Sequence, residues 1–83
     1  MLINITQEDI DSGTRRSTVN CAIAKTFKRI YNNEFLDVVV TTGSLELNGR
    51  HYVMPHLVKD FIHAFDNDTY PVKPMTIEIP ELD

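Results

Sequence analysis

The sequence predicts an α+β domain in which two helices pack on one face of a small, mainly antiparallel sheet of three to four strands. Three observations predict it. Apolar residues recur at helical spacing up to Ile30 and then alternate from Leu36 onward. Asn48-Gly49 separates two short runs of alternating apolar residues. Pro55 then opens a second stretch of helical period. At 83 residues the chain carries enough surface to bury one core but not two, so residues 1–83 read as a single domain.

Taken in order, Ile3 and Ile5 at alternate positions predict a short edge strand. Thr6 and Asp9 are spaced as a capping box, because a hydroxyl and an acid three residues on can satisfy each other's backbone amides. Ser12-Gly13 follows closely, so only a single helical turn over 7–11 is expected. The main helix is predicted over 18–32, with Ser17 or Thr18 capping its free amides. Val19, Ile23, Phe27 and Ile30 would form its apolar face, with Lys25, Lys28 and Arg29 opposite. Asn32-Asn33 suits its end, since Asn tolerates the left-handed conformation.

Leu36, Val38 and Val40 then predict a strand, broken or bulged at Gly43-Ser44. Across the Asn48-Gly49 turn, a two-residue hairpin would pair Leu47 with Arg50, Glu46 with His51 and Leu45 with Tyr52. Leu45, Leu47 and Tyr52 would face inward. From Pro55 to Asp66, residues Leu57, Val58, Phe61, Ile62 and Phe65 form a broad apolar stripe, stopped by Asp66-Asn67-Asp68. Met75, Ile77 and Ile79 alternate as a final strand before Pro80. The order is β-α-α-β-β-β-α-β.

Composition excludes several classes. Hydrophobic residues make up 42 % and charged residues 24 %, a globular rather than disordered profile. No apolar run is long enough to span a bilayer, and the charged residues of the first twenty positions predict no signal peptide. One cysteine, Cys21, excludes an internal disulfide and fits a reducing, cytoplasmic compartment. A formal charge of −4 argues against duplex nucleic acid as partner.

Catalytic motifs are missing. The chain has no glycine-rich phosphate loop, no Gly-x-Ser-x-Gly elbow and no His-Glu-x-x-His. Cys21 could be a nucleophile with His51, His56 or His63 as base, but Ala22, Ile23 and Ala24 beside it favour a packed thiol. The three histidines lack zinc-ligand spacing, so neither metal nor cofactor is expected. Asp66-Asn67-Asp68 lacks the glycine and terminal Glu of a calcium loop and reads as a helix stop. The triplets Asn4-Ile5-Thr6 and Asn67-Asp68-Thr69 match a glycosylation acceptor that has no use without secretion.

Charge is unevenly distributed. Residues 14–30 carry Arg15, Arg16, Lys25, Lys28 and Arg29 with no acid, whereas residues 60–83 carry six acids against Lys73. Two such runs either steer a partner or neutralise each other. Arg15-Arg16 is the sharper feature, because it lies in a polar stretch just before a helix start, where backbone amides also favour anions. Candidate binding residues are therefore Arg15 and Arg16, joined by Arg50, His51 and Tyr52 of the hairpin.

The stretch Ile5-Thr6-Gln7-Glu8-Asp9-Ile10, then Gly13, then Cys21-Ala22-Ile23-Ala24 resembles the start of a family of small uncharacterised proteins encoded by phages and in actinobacterial genomes. Met54-Pro55, Val58, Phe61-Ile62, Phe65-Asp66, Val72 and Pro74 resemble the same family's ending, so the likeness covers most of the chain. Family members often read Cys-Pro where this chain has Cys21-Ala22. The resemblance implies a phage-type accessory protein acting in the host-cell cytoplasm, and it brings no catalytic residue with it.

Two functional expectations follow. The first is a non-enzymatic protein that binds a host protein and inhibits or modulates it, as in counter-defence. The second is an oligomer that sequesters an anionic nucleotide, with Arg15, Arg16 and Arg50 on phosphates and Tyr52 or Tyr70 stacked on a base. A minimal enzyme built on Cys21 or a histidine is a third and weaker reading.

Overall fold

The local signals converge in the computed structural model, which describes residues 2–68 and 71–80. Its elements run β1 (Leu2–Ile5), α1 (Gln7–Ser12), α2 (Ala22–Ile30), β2 (Val38–Val40), β3 (Ser44–Leu47), β4 (Arg50–Val53), α3 (His56–Asn67) and β5 (Met75–Glu78). The result is a small α+β domain with three helices and two antiparallel sheets. None of these helices is long and apolar enough to cross a membrane.

The five strands do not share one sheet. β1 pairs with β5, while β2, β3 and β4 form a separate meander. The division has a local cause: the Val40 amide, at the open edge of β2, donates to the Thr18 carbonyl at 2.7 Å. A further strand could not add there without displacing that bond. Within β1 and β5, Ile3 pairs with Ile77 and both are buried, while the neighbouring pair of Asn4 and Thr76 faces out and is hydrogen-bonded through its side chains.

The hairpin of β3 and β4 has the predicted register: Leu45 opposite Tyr52, Glu46 opposite His51 and Leu47 opposite Arg50. Its turn is left-handed at both central residues, with φ of 51° at Asn48 and 82° at Gly49. Gly43-Ser44 belongs to a second tight turn, not a bulge. The Thr41 amide donates to the Ser44 carbonyl at 2.9 Å, and the Thr41 hydroxyl accepts from the Ser44 amide at 3.0 Å.

α2 is shorter than its apolar spacing suggests. Ser17 does accept an amide, but that of Asn20 at 3.0 Å, which closes a turn ahead of the helix instead of capping it. The helix starts only after Cys21, which leaves Val19 outside it and near half exposed; Ile30, its last residue, is also near half exposed, while Ile23 and Phe27 are buried. Asn32 supplies the left-handed exit, at φ 49°. α3 ends as the Asx run predicts, with Asp68 left-handed at φ 51° and its amide donating to the Ala64 carbonyl.

One continuous core unites the elements. It holds Ile3 and Ile77, Ile23 and Phe27, Leu45 and Tyr52, and Val58, Phe61 and Phe65 of α3. Phe61 and Phe65, one helical turn apart, lie nearly parallel with ring centroids 6.3 Å apart.

Gly13 sets how closely α1 approaches α2. A Cβ there would lie 2.6 Å from the Ala22 nitrogen and 3.0 Å from the Asp9 carbonyl oxygen. Its φ of −71° suits any residue, so the constraint is contact and not backbone conformation. Gly13→Ala must therefore push two backbones apart, at a cost of about 1–3 kcal/mol. Thermal unfolding should show a lowered midpoint, and an unchanged midpoint would mean the α1–α2 contact is loose.

Candidate functional site

Of the candidate residues, Arg15 and Arg16 are placed most informatively. The bonds they make are not at the amino end of α2. They lie instead on the carboxyl end of α3. The Arg15 Nε donates to the Phe65 carbonyl at 2.9 Å, its guanidinium stands 5.6 Å from the Phe65 ring centre, and its Nη2 reaches Asp68 at 3.4 Å. The Arg16 amide donates to the Asp66 carboxylate at 2.9 Å. Cations belong at this end of a helix, where carbonyls are left without intrahelical donors. The basic and acidic runs thus meet here in part, and the adjacent arginines have a folding role that the sequence did not disclose.

Arg50, His51 and Tyr52 cannot converge, because successive strand residues point to opposite faces. Tyr52 is buried in the core and offers no ring for stacking. His51 stands exposed on the other face, opposite Glu46, and Arg50 is exposed beside the turn. Tyr70, the other proposed stacking residue, lies outside the described residues, as do Glu81 and Asp83 of the acidic run.

Cys21 is buried, and that burial pushes its thiol pKa up, so the nucleophilic thiolate is disfavoured at neutral pH. His51, His56 and His63 are all exposed. Among the described residues, no three His, Cys, Asp or Glu side chains are grouped so as to hold a metal ion.

A different side chain stands out. Phe35 is 91 % exposed, the most exposed large apolar side chain described. Its backbone is fixed: Asn33 Oδ1 accepts from the Phe35 amide at 2.9 Å, and the Asn33 carbonyl accepts from Leu36 at 3.2 Å. Asn33 itself donates to the Lys28 carbonyl at 2.9 Å, which ties the loop to α2. Sequence reasoning passed over Phe35, although a signal was available. It lies beyond the last turn of the helical pattern and falls on the polar side of the alternation set by Leu36, Val38 and Val40.

Phe35 borders a groove of about 470 Å³ against α2 that is lined by Lys25, Lys28 and Arg29 and equally by the acids Glu8, Asp9 and Glu34. Two of the three cations are already engaged. Lys28 Nζ donates to the Val19 carbonyl at 2.9 Å and to Asn20 Oδ1 at 3.0 Å. Arg29 forks onto both oxygens of Asp9, at 3.1 and 3.2 Å from its Nε. Lys25 has no side-chain partner among the described residues, so its ammonium is available to a ligand. No protein-family model, curated protein or solved structure matches this chain.

The two arginines make separable predictions. Arg15→Ala removes a side chain that satisfies a helix carbonyl and covers an aromatic ring, and should cost about 1–2 kcal/mol. Arg16 holds φ at 61°, which glycine adopts freely, and its amide bond to Asp66 would survive that change. Among the described residues, the only side-chain bond lost is the long, exposed one from its Nη2 to Asn67 Oδ1 at 3.5 Å. Arg16→Gly should therefore be nearly neutral or slightly stabilising. Denaturant unfolding of both variants distinguishes the roles, and equal losses would contradict the assignment.

Proposed function

We propose that this protein acts by binding a partner protein, with Phe35 as the anchor of the contact. Under the phage resemblance, that partner is a host protein whose activity is inhibited or modulated. The exposure of Phe35 carries the reading. A ring held outside the core by a fixed turn contributes little to folding, yet can gain about 1.5–3 kcal/mol when a partner removes it from water. Aromatic side chains of this kind are frequent binding hot spots when the partner supplies a pocket. Ile30 and Tyr31, each near half exposed at the end of α2, add apolar surface close by in the chain. The charged groove on the same side would set orientation and speed encounter more than affinity.

A second reading, the sequestering of an anionic nucleotide, is favoured by the unpartnered Lys25 in the groove that Phe35 borders. It would move the site from Arg15, Arg16, Arg50 and Tyr52 to this groove, with Phe35 as stacking platform. Denaturing freshly purified protein and examining the supernatant by absorbance and mass spectrometry tests it. A released nucleotide at near-stoichiometric yield supports it, and its absence together with no nucleotide uptake removes it.

The partner reading is tested by Phe35→Ala. Tagged wild type and variant are expressed in the producing cell and compared by quantitative affinity purification, and the captured partner is then titrated by calorimetry. The variant should fold with unchanged stability, within about 0.5 kcal/mol. Its affinity should fall at least tenfold, or about 1.4 kcal/mol. Equal capture and equal affinity would remove Phe35 from the interface.

A further inference from the structure

We propose that the outer edge of β4 pairs with β4 of a second copy of this chain, joining two three-stranded sheets into one. The hairpin register decides which groups face that edge. Leu47 and Arg50 flank a two-residue turn, so they and the pair of Leu45 and Tyr52 exchange the hydrogen bonds between β3 and β4. The amides and carbonyls of His51 and Val53 therefore point away from β3. Among the described residues nothing pairs with them. The other two edges with a visible neighbour differ: the Val40 amide of β2 is taken by Thr18, and the Asn4 carbonyl of β1 accepts from Arg29 at 2.7 Å.

Open edges are usually blunted by proline, lysine, a bulge or a covering segment. β4, Arg50-His51-Tyr52-Val53, is short and carries the charge of Arg50 beside the turn, but it has no proline or lysine, and Val53 is 44 % exposed. A second β4 is a matching occupant. Paired antiparallel about Tyr52, the strand sets His51 opposite Val53 of the other copy, and the reverse, giving two reciprocal sets of backbone bonds. Tyr52 then meets its own counterpart, and the buried face runs unbroken across the junction. No like charges oppose each other, since Arg50 falls opposite Met54. Such a two-fold contact closes on itself and leaves no further edge of the same kind.

Analytical ultracentrifugation of the full chain from micromolar to millimolar concentration tests the proposal, with hydrogen exchange at both ends of that range. Wild type should shift from monomer to dimer, and the amides of His51 and Val53 should become protected as it does. Val53→Lys, a change on an exposed side chain, should weaken association at least roughly tenfold. A chain that stays monomeric throughout would overturn the proposal. So would a dimer in which those two amides exchange freely, or one that Val53→Lys leaves intact. The exchange measurement uses wild type alone and holds even where the variant unfolds.

Discussion

The carboxylate of Asp9 is the constraint on which the arrangement of the first half of the chain depends. It is buried, and burial alone would push its pKa up; Arg29 and the hydrogen bonds from Thr6 and Thr26 outweigh that and hold it below the usual range. The partners come from two pieces of structure. The Thr6 amide, accepted at 2.9 Å, starts α1, while the Thr26 hydroxyl at 3.1 Å and the Arg29 guanidinium come from α2. Arg29 continues to the Asn4 carbonyl of β1 at 2.7 Å. One acid thereby fixes a strand and two helices in a shared orientation. Such a fork of guanidinium on carboxylate specifies geometry as well as energy. The loop that displays Phe35 leaves the end of α2, so the proposed contact surface inherits its position from Asp9.

The second half is attached by different chemistry. α3 buries Val58, Phe61, Ile62 and Phe65 in the common core, but its carboxyl end is held by the 14–16 loop. Arg15 gives the Phe65 carbonyl a donor it lacks within the helix and reaches the Asp68 carboxylate, while the Arg16 amide donates to that of Asp66. Gly13, immediately before, lets the same loop pass against the start of α2. Three consecutive functions, a close approach and two helix-end bonds, fall within four residues of chain. That density explains why this stretch reads as polar and unstructured in sequence while being structurally committed.

What was legible in the sequence was local. The capping box of Thr6 and Asp9, the Asn48-Gly49 hairpin and its register, and the Asx stop of α3 each involve partners a few residues apart, so spacing alone exposes them. Misreadings arose where a residue's partner is distant or its role ambiguous. Ser17 has the chemistry of a helix cap, but the Thr18 carbonyl is engaged by β2, and the turn between them delays α2. Arg15 and Arg16 looked unemployed because their partners lie some fifty residues on. Tyr52 was offered as a stacking residue although its own register faces it inward, and the core takes it. Phe35 was missed because a pattern search follows residues that fit a period, and this one fits neither.

If Asp9 organises the fold, its ionisation should be visible in the pH dependence of stability. The direct measurement is denaturant unfolding of wild type and Asp9→Asn from neutral to acid pH. A carboxylate whose folded pKa is depressed contributes stability that is complete above its unfolded pKa of about 3.9 and is lost as pH falls through the lower, folded value. At neutral pH the variant should be less stable by about 2–3 kcal/mol, less than the 3–5 of a fully buried pair because Arg29 keeps water on one side. Below about pH 4 the gap should shrink, since wild type then loses the same charge. A gap under about 0.5 kcal/mol at pH 7, or one that stays constant into acid, would show that the structure does not rest on this carboxylate.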